Sequence, residues 1–344
     1  MLAIAKEISG LDGLALAHRE PRDPGPDEML VKVKAAGICG SDMQIYRWTS
    51  WMARRMHLPR VLGHEGAGVV TAIGAAVTNV RVGDHVSLES HIFCGRCYQC
   101  TTDRQHLCPH TRYPGVDIDG VFAEYVTVPA SIAWVNSKEL PHEVAAALEP
   151  LGIAVHAALA GTGVSGQSVL INGCGPIGLM NVGVARLLGA ETIIAVDPNA
   201  LRRNTAARLG ADILVDPQSE DVAAAVCKAT ANRGADVAIE YSAVREGLHA
   251  CAASLTPGGD LRLCGTPSVP EEVDFALWRA KRPTVHNIHG RRIWSTWVKA
   301  AAMLETGRLD LKPVLSHVLS LKEGRKAFEL ILRGEAVKPM LVPD

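Results

Sequence analysis

The sequence predicts an α/β protein of two domains, a β-rich domain followed by a domain built on a doubly wound parallel sheet. The first 150 residues contain short alternating apolar segments, such as MLVKVKAAG and GAGVVTAIG, broken by Gly and Pro. From about residue 168, apolar runs alternate with amphipathic stretches of roughly 10 to 13 residues, which is typical of βαβ units. We expect residues 1–150 and 151–288 to form the two domains, with residues 289–344 packing back on the first.

The second domain shows the regular alternation most clearly. Five strands are predicted, at 168–173, 192–197, 212–216, 236–241 and 260–265. Four helices are predicted between them, at 176–188, 200–209, 220–231 and 244–255. The segment TPGGD at 256–260 ends the last helix, because Pro and paired Gly are strong stop signals.

Charge and composition exclude several classes of protein. The net charge of -1 argues against nucleic-acid binding through bulk positive charge, and 48% hydrophobic with 21% charged residues indicates a globular chain. The most apolar region, 144–164, contains Glu149 and Pro150, so a membrane span is not expected. Because Lys6 and Glu7 lie where the apolar part of a secretory signal would be, we expect a cytoplasmic protein.

The segment GCGPIG at 173–178 has the pattern G-x-G-x-x-G between a predicted strand and a predicted helix. Its glycines allow a tight turn and close approach of a pyrophosphate, and the helix N-terminus offers free N–H groups to it. Asp197 ends the next strand, about twenty residues further on, where an acidic residue accepts hydrogen bonds from a ribose. A carboxylate there favours NAD over NADP. Arg202 and Arg203 either reach a phosphate or lie solvated at the start of a helix.

Nine cysteines are distributed unevenly along the chain. Cys94, Cys97, Cys100 and Cys108 lie close together, and an odd total without an export signal favours metal ligation over disulfides. Four thiolates with this spacing suit a closed, tetrahedral structural zinc site. An iron–sulfur cluster is the alternative, because C-x2-C-x2-C also occurs in ferredoxins, but the chain has one such run only.

A second set of candidate ligands is dispersed along the first domain. Cys39, His64, Glu65 and Glu149 each have a simpler explanation, as a core cysteine, as surface residues or as a carboxylate in the first turn of a helix. Together they offer one sulfur, one nitrogen and one or two oxygens. That mixture suits a zinc ion that keeps a position open for water or substrate.

The segment GHEGAGVVTAIGAAV (63–77) resembles the zinc signature of the medium-chain dehydrogenase/reductase superfamily. The chain contains, in the order expected for that superfamily, Cys39, the GHE segment, the four-cysteine segment, EPLGIAVHA (149–157) and GCGPIG. Within the superfamily the chain is most similar to the L-threonine 3-dehydrogenase family, through CGSDMQIYRWTSW (39–51), ESHIFCGRC (89–97) and GRRIWSTW (290–297). The resemblance implies a GroES-like catalytic domain, a Rossmann domain, and assembly into homotetramers or homodimers.

The resemblance also implies roles for individual residues. Cys39, His64 and Glu65 would hold a catalytic zinc, with Glu149 as a fourth ligand or close neighbour. Asp42 would orient His64 through its other ring nitrogen. The remaining catalytic positions would be Ser41, which passes the alcohol proton outward, and His91, near the substrate. The residues assigned to the cofactor site are Gly173, Gly175, Pro176, Ile177, Gly178, Asp197, Arg202, Cys264, Gly265, Thr266, Ile288 and His289.

One departure from the family concerns the proton relay. Gln44 stands where the relay usually ends in His, and glutamine has no titratable proton near neutral pH. The proton would leave through water or another group. The expected activity is NAD-dependent oxidation of a small secondary alcohol, first L-threonine to 2-amino-3-oxobutanoate, with a polyol, cyclitol or diol as the alternative substrate. A non-catalytic NAD-binding protein is the remaining alternative.

Overall fold

The computed structural model describes residues 1–267 and 269–343, which divide into two compact units. The first unit comprises Met1–Glu149 and the segment from Leu315 onward, and the second comprises Pro150–Val314. Residues 289–314, which the sequence analysis grouped with the first domain, fall in the second unit. There Trp297 is fully buried, and Leu309 lies against Gly183 of a neighbouring helix.

Strands and helices occur in both units. The strands are β1 Leu2–Lys6, β2 Leu14–His18, β3 Glu28–Gly37, β4 Arg60–Val61, β5 Glu65–Ile73, β6 His85–Leu88, β7 Tyr125–Pro129, β8 Ala133–Val135, β9 Ser168–Asn172, β10 Thr192–Val196, β11 Ile213–Val215, β12 Ala235–Glu240, β13 Leu255–Leu263, β14 Thr284–Asn287, β15 His317–Ser320 and β16 Pro339–Val342. The helices are α1 Gly40–Tyr46, α2 Ser50–Arg55, α3 Tyr98–Thr101, α4 His142–Ala146, α5 Leu148–Leu159, α6 Pro176–Leu187, α7 Ala200–Arg208, α8 Val222–Ala229, α9 Arg245–Ser254, α10 Phe275–Lys281, α11 Ser295–Glu305 and α12 Gly324–Leu332.

The first unit is centred on a sheet of order β15-β16-β3-β5-β6-β8, with β7 also paired to β3. Strand β3 alternates buried and half-buried residues, so that Met29, Val31 and Val33 point into the core. It runs antiparallel to β5 and ends where Gly37 faces Glu65. This register places the start of β5 beside the segment that leads from β3 to Cys39.

The second unit contains a six-stranded parallel sheet of order β11-β10-β9-β12-β13-β14. This order is that of the Rossmann fold, which confirms the predicted fold class. The predicted strands match except that β13 begins at Leu255 and includes the TPGG segment. Strand β14 was not predicted, because its residues are half-buried or exposed and form no apolar run. Among the described residues, no helix combines the length and the apolarity that crossing a membrane requires.

Two histidines of the first unit meet where β6 packs near α4. Nε2 of His85 lies 3.0 Å from Nδ1 of His142, and Nδ1 of His85 lies 3.1 Å from the carbonyl oxygen of Ser137. Because that carbonyl only accepts, His85 donates to it through Nδ1 and accepts from His142 through Nε2. Burial lowers the pKa of both rings, and the positive charge that His85 gains on protonation lowers the pKa of His142 further.

We expect this pair to make stability fall at mildly acidic pH. The unfolded chain takes up protons at the ordinary histidine pKa of about 6.5, whereas the folded pair resists them. The contribution to stability is therefore complete above about pH 6.5 and is lost as the pH falls toward the lowered pKa values of the folded state. The measurement is the melting temperature between pH 7.5 and 5.5. His142→Gln should flatten this slope, while His57→Gln, at an exposed position, should not. Equal slopes for all three proteins would contradict the assignment.

Candidate active site

Three side chains of the first unit form a ligand group. One sulfur from Cys39, one ring nitrogen from His64 and one carboxylate oxygen from Glu65 all lie within 4.8 Å of one another. Cys39 is the N-cap residue of α1, and Glu65 begins β5 directly after His64. These donors fit a zinc ion, which accepts sulfur, nitrogen and oxygen ligands and keeps a fourth position open in catalytic sites.

The surroundings of this group favour a cation. The Asp42 carboxylate accepts a 2.9 Å hydrogen bond from the Cys39 backbone N–H and lies 3.8 Å from Nδ1 of His64. Burial alone would lower the pKa of His64, but Cys39 and Asp42 outweigh it, so that this pKa lies well above its ordinary value. Burial raises the pKa of Asp42. Glu149 lies outside the 4.8 Å group, and its charge raises the pKa of both His64 and Glu65.

Lys338 is a member of this cluster that the sequence analysis missed. It lies directly before β16, its Nζ pairs with Glu65 Oε2, and both residues are 1% exposed. Lys338 also donates to the carbonyl of Ile38 at 3.2 Å. A Cβ at Gly37 would collide with the Glu65 carboxylate and lie 3.0 Å from Cε of Lys338, so only glycine fits there. A lone lysine far along the chain carries no pattern by which sequence reasoning could find it.

The four clustered cysteines converge as predicted. Their sulfur atoms all lie within 4.8 Å of one another, with separations of 3.5, 3.8 and 4.0 Å among them. A tetrahedral zinc site with Zn–S bonds of about 2.3 Å requires separations of about 3.8 Å. An iron–sulfur cluster contains several metal ions and needs a wider set of sulfurs, so a single ion fits better. Hydrogen bonding from the backbone of Arg96 is the main cause that lowers the pKa of Cys94 to about 6.

The glycine turn of the second unit connects β9 to α6. Gly173 has a φ of 94°, which favours glycine, and Gly175 is the N-cap residue of α6, with Pro176 in its first turn. A Cβ at Gly178 would collide with the carbonyl oxygen of Gly173, so the third glycine permits close packing of helix and strand. The turn therefore has the shape that a dinucleotide pyrophosphate requires.

Asp197 holds this turn in place. Its carboxylate oxygens accept hydrogen bonds from the backbone of Cys174 at 2.9 Å and of Asn199 at 2.8 Å, and the residue is 3% exposed. Arg202 Nη1 lies 3.6 Å from the same carboxylate. Arg203 instead bonds the Asp197 carbonyl at 2.7 Å, and its charge pairs with another aspartate. These two contacts explain the position of the Arg203 guanidinium without a bound phosphate.

The other predicted cofactor residues follow β13 and β14. The backbone N–H groups of Cys264 and Gly265 both donate to the carbonyl of Glu240 at 2.9 Å, and that of Ile288 donates to Leu263 at 2.8 Å. Thr266 and His289 are exposed. Because all strands are parallel, these segments lie at the same sheet edge as the glycine turn. Nucleotides bind at this carboxyl edge in open α/β sheets.

Comparison with known proteins decides the family. Residues 25–138 match the family model of the alcohol dehydrogenase GroES-like domain, and residues 176–306 match that of zinc-binding dehydrogenases. The L-threonine 3-dehydrogenase of Pyrococcus horikoshii is 42% identical over 340 residues, which cover 98% of this chain and 97% of that protein. The chain belongs to the zinc-dependent medium-chain dehydrogenases. Within them it is similar to the L-threonine 3-dehydrogenases.

Two solved dehydrogenase structures share the fold. A protein from Escherichia coli CFT073 described as a short chain alcohol dehydrogenase, complexed with NADH, superimposes with a TM-score of 0.90 at 28% identity over 99% of both chains. The 2R,3R-butanediol dehydrogenase of Bacillus subtilis superimposes with a TM-score of 0.90 at 26% identity over 100% of both chains. The order of domains in this dehydrogenase is therefore that of its relatives.

The residues expected to relay a proton in this dehydrogenase lie on α1. Ser41 is half-buried and Gln44 is exposed, and their spacing of three places them on the same side of the helix. His91 lies beyond β6 and is 5% exposed, with Nδ1 2.9 Å from a carboxylate oxygen of Glu89. Glu89 is a second buried residue that the sequence analysis did not select.

The four-cysteine lobe of the dehydrogenase offers a direct test of its metal. Cys100→Ser should remove one zinc ion per chain and lower the free energy of unfolding by about 4 kcal/mol, because loss of a metal is among the largest single-residue effects. Mass spectrometry measures the zinc content, and denaturant unfolding measures the free energy of unfolding. The matched control is Cys227→Ser, since Cys227 lies on α8 of the second unit and belongs to neither ligand group. Full zinc content in Cys100→Ser would refute the assignment.

Proposed function

We propose that this dehydrogenase oxidises the C3 hydroxyl of L-threonine to a ketone, giving 2-amino-3-oxobutanoate, with NAD as the hydride acceptor. The near full-length similarity to L-threonine 3-dehydrogenases supports the substrate. The observation that carries the reaction class is the convergence of Cys39, His64 and Glu65 on one point. Those three donors fit a catalytic zinc with an open position for the alcohol.

Each catalytic residue has one proposed task. Cys39, His64 and Glu65 would hold a zinc ion, which would supply a Lewis acid that lowers the pKa of the substrate hydroxyl. Asp42 holds the ring of His64 in orientation, and the burial of His64 and Glu65 keeps bulk water away from these two ligands, while Cys39 is half-buried. Ser41 accepts the hydroxyl proton and passes it toward solvent. Because glutamine does not titrate, the proton is transferred to water rather than to Gln44.

The cofactor is bound by the carboxyl edge of the second unit. The N–H groups at the glycine turn hold the pyrophosphate, and Asp197 accepts hydrogen bonds from the adenosine ribose. The negative charge of Asp197 disfavours the 2′-phosphate of NADP, although Arg202 offsets part of that charge. We expect kcat/KM to be at least about tenfold higher with NAD than with NADP, because the carboxylate of Asp197 repels the 2′-phosphate of NADP. Equal values would contradict this use of Asp197.

A diol, polyol or cyclitol is the alternative substrate. The fold shared with a 2R,3R-butanediol dehydrogenase favours it, as does the loss of the relay histidine at Gln44. The deciding experiment measures NAD reduction with L-threonine, sorbitol, inositols and butane-2,3-diol side by side. Saturable turnover of a diol or polyol, with none of L-threonine, would reverse the order of the two proposals.

The proposal includes two zinc ions per chain, a cytoplasmic location and a homo-oligomer, either a tetramer or a dimer. The two separate ligand groups support the zinc count, and similarity to a family of oligomers supports the assembly. Metal analysis separates the enzyme from a non-catalytic NAD-binding protein, since the latter would hold one zinc only. Light scattering measures the oligomer directly.

A further inference from the structure

A buried carboxylate ends strand β12. Glu240 is the last residue of this strand and is 3% exposed. Its Oε1 accepts hydrogen bonds from the backbone N–H groups of Ser242 at 2.6 Å and Ala243 at 3.2 Å. Oε2 lies 3.2 Å from the same backbone nitrogen of Ala243, and Nδ2 of Asn172 lies 3.5 Å from Oε1. The carboxyl group is therefore surrounded by groups that donate hydrogen bonds to it.

The hydroxyl group of Ser242 indicates that this carboxyl group is ionised. The hydroxyl oxygen accepts hydrogen bonds from Nδ2 of Asn172 at 3.2 Å and from the backbone N–H of Val244 at 3.5 Å. Its own hydrogen therefore points to Oε1 of Glu240, with which it forms a hydrogen bond. Since both oxygens of Glu240 accept, a protonated carboxyl group would carry a hydrogen that none of these partners is free to accept.

The charge of Glu240 has no ion-pair partner among the residues that the structure describes. Arg262 of β13 and His286 of β14 both lie beside Asp260 instead, at 3.2 and 3.5 Å. A negative charge is thus buried in the second unit without a counter-charge. Such a charge strongly attracts a cation that comes near it, because its surroundings screen it less than water does.

Glu240 lies at the point where the strand order of the sheet reverses. From β11 the strand numbers fall to β9, and beyond it they rise from β12 to β14. Glu240 pairs with Asn172 at the end of the β9–β12 ladder, so it stands at this switch point. Dinucleotides bind across the crevice at the switch point of open α/β sheets.

The contacts proposed for NAD bring its nicotinamide half to the side of Glu240. If Asp197 after β10 takes the adenosine ribose and the glycine turn after β9 takes the pyrophosphate, the second nucleotide extends over β12 and β13. A Cβ at Gly265, in the segment after β13, would lie 2.6 Å from Oε2 of Glu240, so this segment packs on the carboxylate. Burial is the main cause that raises the pKa of Cys264 to about 12, and the charge of Glu240 raises it further.

We propose that Glu240 is a specificity-determining residue for the redox state of the cofactor, and that its buried charge favours the cationic nicotinamide of NAD over the neutral ring of NADH. The inference rests on the proposed binding of NAD and holds whichever alcohol is oxidised. The nicotinamide ring of NAD loses its positive charge when it accepts a hydride, so a fixed negative charge attracts the oxidised form alone. Glu240 therefore eases the exchange of NADH for NAD after each turnover, while it makes hydride transfer itself less favourable.

The test measures the dissociation constants of NAD, NADH and ADP-ribose by calorimetric titration of the zinc-loaded protein without an alcohol. Glu240→Gln keeps the side-chain length and one acceptor oxygen but removes the charge. It should raise the dissociation constant for NAD about tenfold and change those for NADH and ADP-ribose less than about twofold. ADP-ribose lacks the nicotinamide, so it reports on the adenosine and pyrophosphate contacts alone. The matched control is Glu246→Gln on α9, where the carboxylate is exposed and screened, and it should leave all three constants unchanged.

Two results would overturn the inference. Equal losses for all three ligands in Glu240→Gln would show a merely structural role, and three unchanged constants would show that the nicotinamide does not sense the charge. Glu240→Asp keeps the charge and should keep the ratio of the NAD and NADH constants, even where both forms bind more weakly. If Glu240→Gln does not fold, Glu240→Met makes the same comparison, because the ratio cancels any loss common to both forms. An unmodified protein that binds ADP-ribose but neither NAD nor NADH would instead contradict the proposed function.

Discussion

Cys39→Ser should lower kcat by at least about a thousandfold, because zinc contributes several kcal/mol of charge stabilisation and each 1.36 kcal/mol is worth a factor of ten. A serine hydroxyl is a poor substitute for a thiolate as a zinc ligand. The change also removes the only sulfur donor of the ligand group that contains His64 and Glu65. Steady-state kinetics and zinc analysis on the same preparation check the two effects together.

The companion variant for this test is Cys100→Ser, which lies in the other ligand group. Each variant should lose one of the two zinc ions. Cys39→Ser alone should lose turnover, and it should keep its affinity for NAD and nearly all of its free energy of unfolding. Cys100→Ser should show the opposite pattern, with a large loss of stability. Retained activity in Cys39→Ser would disprove the assignment of the catalytic metal.

Lys338→Met should lower the free energy of unfolding of the zinc-free protein by about 3–5 kcal/mol, the usual cost of leaving a buried charge without its partner. Glu65 and Lys338 are each 1% exposed, so water cannot take over the role of the missing ammonium. In the zinc-loaded protein the loss should be smaller, since the metal ion then supplies positive charge beside Glu65. Chemical denaturation with and without a chelator gives both values.

Two further variants make this prediction specific. Glu65→Gln combined with Lys338→Met removes both charges and should recover most of the stability lost in Lys338→Met alone. Lys312→Met, at an exposed lysine, should change the free energy of unfolding by less than about 0.5 kcal/mol. A strictly additive double variant would show that the two side chains do not interact energetically.

The parts of the fold that the sequence predicted are those with local patterns. Strands β9, β10 and β12 are almost entirely buried, so they read as continuous apolar runs, and the glycine turn lies within six residues. Strand β14 escaped prediction because a short strand at the sheet edge needs no apolar run. The TPGG segment was predicted to stop a helix, and α9 does end just before it. The segment itself belongs to β13, which begins at Leu255.

The distinction between local sequence patterns and isolated residues also explains which residues of the candidate site could be predicted. The two metal groups contain residues whose types and spacing are unusual, so Cys94 and His64 could be selected without any structure. Glu89 and Lys338 are single charged residues whose meaning depends on what they touch. Lys338 meets Glu65 across 273 positions of sequence. A contact over that separation leaves no periodicity or spacing that a single sequence could reveal.

The discontinuity of the first unit has a consequence for the order of synthesis. Its early part, Met1–Glu149, precedes a second unit that is continuous in sequence, and Lys338 belongs to the segment that follows. A ribosome therefore completes the second unit before it makes the cation that neutralises Glu65. Since domains tend to fold as they emerge, the nucleotide unit can reach its native state first, while the metal centre must wait for the last β-strand pairing.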